Sequence, residues 1–142
     1  MRLRFLLILA LLPLGCTAAQ PPARTPPSPK ATSIAGTWTW KQGEERLELT
    51  LKQEGASVSG YHSAIGQRGL KADEASKDGE PSIKGEMKGA VATVTFRTGY
   101  PDSNGHGTAT LSWRGEFLYW KIVQSKGEHY LPRAVRLRRT TR

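Results

Sequence analysis

The sequence predicts an all-β domain: an antiparallel up-and-down β-barrel of about eight strands, placed after a cleaved signal and a proline-rich tether. Three observations predict it. From Ile34 onward the apolar residues recur with period two, the period of a strand, and no long stretch carries the 3.6-residue pattern of an amphipathic helix. Glycine-bearing turns separate the alternating runs. The composition, with 15 Gly, 9 Pro, 4 Trp, 4 Tyr and 3 Phe in 142 residues, is that of a turn-rich β protein.

Each strand follows from its alternation. Residues 46–52 set Leu47, Leu49 and Leu51 against Arg46, Glu48, Thr50 and Lys52. Residues 91–97 align Ala92, Val94 and Phe96; residues 108–114 align Ala109, Leu111 and Trp113. Residues 117–123 align Leu118, Trp120 and Ile122, and residues 134–138 align Val135 and Leu137. Weaker patterns at 36–40, 58–62 and 82–87 complete the set. The joints at 88–90 and 114–116 are so short that their flanking strands must pair as antiparallel hairpins. Strands with one apolar face bury it by rolling up, and closure removes the exposed edges that would aggregate. The longest joint, 64–81, mixes Asp73, Glu74, Asp78 and Glu80 with Arg68, Lys71 and Lys77, and reads as a solvated connector.

The amino end reads as an address. A basic start, Arg2 and Arg4, precedes an apolar run from Phe5 to Gly15 that is too short to span a bilayer, as in an export signal. The segment Pro13-Leu14-Gly15-Cys16 resembles the lipobox of bacterial lipoproteins. That resemblance implies a signal at residues 1–15, lipidation of Cys16, and, from Thr17 in the sorting position, an outer-membrane location facing the periplasm. An ordinary signal cut after Ala19 is the other reading. The chain has 1 Cys, which excludes an internal disulfide framework and agrees with a lipidation site. Residues 16–33 then form the anchor and a proline-rich linker, whose extended course reaches about 50 Å at ~3.1 Å per residue. The barrel domain is 34–142.

The net charge of +9 does not point to nucleic acid. Residues 1–32 contribute four basic residues and no acid, the last ten contribute five Arg, and residues 33–132 balance 12 basic against 12 acidic. No basic groove interleaved with aromatics is visible along the chain. The C-terminal Arg run reads either as a solvent-facing final strand or as a contact with anionic lipid.

Motifs of catalysis are absent. His62, His106 and His129 are far apart in sequence and have no second ligand at metal spacing. Asp102-Ser103-Asn104-Gly105 lacks the carboxylate that a calcium loop needs at its twelfth position. No Gly-x-Ser-x-Gly elbow or phosphate-cradling glycine loop occurs. The expectation is a protein that is not an enzyme and uses no metal and no cofactor.

Residues 36–38, Gly-Thr-Trp, and residues 55–66, GASVSGYHSAIG, resemble the opening of the avidin and streptavidin barrels. The resemblance implies an eight-stranded barrel with Tyr61 and Ser63 donating hydrogen bonds inside a cup, walled by Trp113 and Trp120. Tyr61 and Ser63 share a strand face, so both hydroxyls can enter one pocket. Equally, Tyr61 can be packing, through a bulge at Gly60, and the tryptophans can be core. Ser59-Gly60-Tyr61 also resembles the inserting loop of lysozyme inhibitors. The functional expectation is therefore a cell-envelope lipoprotein whose barrel binds a small molecule or envelope component. Its alternative is an inhibitor or immunity-type protein that blocks a cell-wall hydrolase. Partners are the membrane, through the anchor, and a small ligand or envelope protein, with no nucleic acid.

Overall fold

A computed structural model of the chain describes residues 33–100 and 102–140; the segments assigned to the signal, Cys16 and the proline-rich linker up to residue 32 lie outside them. The described residues form β1 (Gly36–Gln42), β2 (Glu45–Glu54), β3 (Ser57–Gly66), β4 (Lys71–Glu74), β5 (Ile83–Lys88), β6 (Val91–Arg97), β7 (His106–Arg114), β8 (Phe117–Lys126) and β9 (Ala134–Arg139). Every pairing is antiparallel, and contacts of β1 with both β2 and β9 close the wall.

The nine strands fill eight positions. β3 pairs with β2 over Ser57–Ile65, but on its other side it meets β5 over Ser57–Gly60 and β4 over Ser63–Gly66. β4 and β5 are thus two halves of one wall position, and residues 75–82 leave the wall between them. This corrects the reading of 64–81 as a solvated connector. β3 runs on to Gly66, and the short β4 follows a turn at residues 67–70. Four residues reading Lys-Ala-Asp-Glu carry too little apolar alternation to announce a strand.

The alternation puts large side chains inside. Trp38, Leu47, Leu49, Leu111, Leu118, Trp120 and Leu137 are all fully buried, so the barrel is packed and not hollow. Gly89 and Gly115 adopt φ of 62° and 61° in their hairpin turns, a conformation that side-chain-bearing residues adopt at a cost.

Each end is plugged differently. Where the chain enters, Ile34 is buried and its carbonyl accepts the Trp38 indole N–H at 2.8 Å. The Trp38 and Trp113 rings meet edge to face at 5.0 Å. At the far end, residues 127–133 cross from β8 to β9, burying Tyr130 and Leu131, and the Pro132 carbonyl accepts the Trp120 indole N–H at 2.9 Å. Trp38→Ala removes one of the two buried indole rings and its hydrogen bond, and is expected to destabilise the barrel by about 3–5 kcal/mol in urea unfolding. A loss under ~1 kcal/mol would mean that the entry end is not packed as described.

Candidate functional site

The far end is organised around one carboxylate. Asp73 faces inward from β4, fully buried, and its two oxygens serve three elements. Oδ1 accepts the Gly99 N–H at 2.7 Å and lies 3.0 Å from His62 Nε2, while Oδ2 accepts the Tyr130 N–H at 3.0 Å. The loop after β6 and the crossing segment after β8 are therefore both fastened to β4. Close approach is built in: a Cβ at residue 99 would stand 1.9 Å from the Glu74 carbonyl oxygen, so only Gly fits.

His62 completes the buried group. With its proton on Nε2, the ring donates to Asp73, and Nδ1 accepts the Ser82 hydroxyl at 2.9 Å. That hydroxyl oxygen also accepts the His62 backbone N–H at 3.3 Å. Burial alone would raise the Asp73 pKa, but hydrogen bonds from His62 and the Tyr130 backbone outweigh it and lower it to about 2. Ser, His and Asp are the residue types of a hydrolase triad, yet here the carboxylate sits on Nε2 and the hydroxyl on Nδ1. His62 and Ser82 are only 2% and 3% exposed, so this group ties loops together and presents no nucleophile to solvent.

Above it lies a polar, aromatic rim. Lys71 Nζ donates to the Tyr100 hydroxyl at 3.1 Å, and the Tyr100 and Tyr130 rings meet edge to face at 5.1 Å. The tyrosine contact raises the Lys71 pKa. The Tyr130 hydroxyl donates to the Glu128 carboxylate, which holds the phenol protonated well above its usual range. An open pocket of about 380 Å³ sits here, lined among others by Trp40, Glu45, Ile65, Glu128, His129 and Tyr130. Burial pushes the His129 pKa down against the pull of Asp73, which favours the neutral ring. Its Nδ1 is buried and has no hydrogen-bond partner among the described residues.

The residues singled out from sequence do not converge here. β3 turns Val58, Gly60, His62 and Ala64 inward, with an unbroken register and no bulge at Gly60. Tyr61 and Ser63 consequently face outward, which corrects the expectation of two hydroxyls inside a cup. Tyr61 donates to the Gly79 carbonyl at 2.9 Å, under the segment that leaves the wall. Ser59-Gly60-Tyr61 is strand paired with β2 and does not protrude as a loop. Trp113 and Trp120 lie on the inner side of the wall as packing residues, apart from both hydroxyls. Asp73, Ser82 and Tyr130 escaped sequence reasoning because their partners are distant in the chain. Nothing around Asp73 could have signalled it, since Lys-Ala-Asp-Glu has no apolar alternation.

No protein-family model, curated protein or solved structure matches this chain.

Asp73→Asn keeps the size but puts an amide where a carboxylate serves three N–H donors, and should cost about 3 kcal/mol. The folded pKa of Asp73, about 2, lies below its ordinary 3.8. Its contribution, about 2 kcal/mol, is therefore complete above that ordinary value and disappears as pH falls from there through the folded one. Urea unfolding across this window should show the wild type losing that increment and Asp73→Asn losing less. Equal acid slopes would contradict the assignment.

Proposed function

We propose that this is a non-enzymatic lipoprotein of the cell envelope that binds a small polar ligand, or a small group of an envelope component, in the far-end pocket. The observation that carries the reading is the pairing of a filled interior with an open, Asp73-fastened pocket at the end opposite chain entry. A packed barrel offers no cup, so recognition belongs at the rim. The pocket chemistry suits a ligand with several hydrogen-bond donors. Glu45 and Glu128 supply acceptors, and Trp40 and Tyr130 apolar faces. The sequence supports the setting: the lipobox-like Cys16 and the proline spacer would tether the barrel to a membrane.

The reading is tested on the full chain purified from its own host's envelope. Native mass spectrometry should find an acyl adduct on Cys16 and a copurifying mass of a few hundred daltons, a size in keeping with a small open pocket. Trp40→Ala with Glu128→Gln should lose the second mass and keep the first, and Cys16→Ala should lose the adduct and release the protein from membranes. A bare barrel, or a mass retained by the pocket variant, would overturn the binding reading.

A further inference from the structure

Counted along the chain, residues 33–132 are neutral, but the folded wall sorts its charges. Four neighbouring strands, β7, β8, β9 and β1, contain no Asp or Glu at all. They carry exposed Lys41, Arg114, Lys121, Arg136 and Arg138. The acids of the strands lie on β2, β4 and β5 instead.

This wall is also aromatic. The Phe117 ring lies beneath two guanidinium groups, Arg136 at 4.4 Å and Arg138 at 5.1 Å, while Arg114 lies 5.4 Å from the Tyr119 ring. Cations held on ring faces are fixed outward, and the only acid among the turns that join β7, β8 and β9 to one another before the crossing segment is Glu116, which makes no ion pair with them among the described residues. Two shallow grooves run between them. One, of about 390 Å³, is flanked by Arg114, Lys121 and Arg136; the other, of about 310 Å³, by Lys41, Arg136 and Arg138. The second groove lies at the barrel seam, where β1 and β9 pair through Trp38–Arg139 and Thr39–Arg138 and the Thr140 N–H donates to the Thr37 carbonyl at 2.8 Å. The chain enters at this seam, since Arg139 donates to the Ser33 carbonyl at 2.8 Å.

We propose that the β7–β8–β9–β1 wall docks on a membrane surface through its anionic phosphate headgroups, with Lys41, Arg136 and Arg138 around one headgroup and Arg114 and Lys121 engaging others. The occupant follows from charge complementarity: four adjacent strands without an acid, with aromatic residues among their cations, at the seam where Ser33 enters the barrel. The proposal rests on the envelope reading only for where the barrel resides; the chemistry of the face is tested without the anchor. Docking would turn the barrel onto its side and leave the far-end pocket open at the edge of the contact.

The barrel closes on its own core, so residues 33–142 can be tested alone. Cosedimentation with phosphatidylcholine vesicles, with and without phosphatidylglycerol, should show binding only to the anionic set, with release by salt. Each basic residue near such a surface contributes about fivefold. Arg136→Glu with Arg138→Glu should therefore weaken binding by at least about tenfold. Lys41→Glu with Lys121→Glu, which leaves the Phe117 stack intact, should do the same. Lys52→Glu with Lys88→Glu, the same charge change on other strands, should weaken it far less. Binding to both vesicle types, equal losses in all three variants, or capture of heparin with no vesicle binding would each overturn the proposal. Anchor and face separate cleanly: if the unlipidated barrel binds while Cys16 of the full chain carries no acyl group, the face stands and the anchor falls.

Discussion

The far end of this barrel depends on a single buried carboxylate. Asp73 accepts hydrogen bonds from three directions: a side chain of β3, the loop after β6, and the segment crossing from β8 to β9. A carboxylate withdrawn from water is costly unless several donors compensate it, and here the donors prevail. The same bonds that keep Asp73 ionised also hold Tyr130 and Gly99 in place. The rim of Tyr100, Tyr130, Lys71 and Glu128 thus rests on a charge that solvent does not reach. The gap between β4 and β5 makes room for it, letting Ser82 approach His62 where an unbroken strand would continue.

The packed interior sets the other constraint. A strict in-and-out alternation of large apolar residues fills an eight-stranded barrel, and a filled barrel has only its ends and its outer wall for recognition. The two ends divide the work. Trp38, Trp113 and Ile34 seal the end where the chain enters, whereas the far end is polar and open. The outer wall is divided as well, into an acid-free half and a half of mixed charge.

Most of the wall was legible because alternation is a local property. Leu47-x-Leu49-x-Leu51 and Ala109-x-Leu111-x-Trp113 name their own inner faces. β4 was not legible, since a four-residue strand around a buried Asp looks like a charged loop. Nor was the inward or outward sense of Tyr61 and Ser63: β3 is weakly patterned, and the burial of Val58 on the opposite face decides it. The polar site was hidden because His62, Asp73, Gly99 and Tyr130 meet only after closure, and no spacing within the chain encodes that meeting. Charge counted by segment likewise concealed the basic wall, because β1 ends 64 residues before β7 begins yet closes the ring beside β9.

The account is most directly tested by native-state hydrogen exchange at the Gly99 and Tyr130 amides. If Asp73 holds both loops, the two amides are protected, and Asp73→Asn speeds both together by roughly a hundredfold, while amides in the β6–β7 ladder change far less. If only one amide responds, or neither does, the loops are held by something other than the shared carboxylate, and the pocket is not built as described.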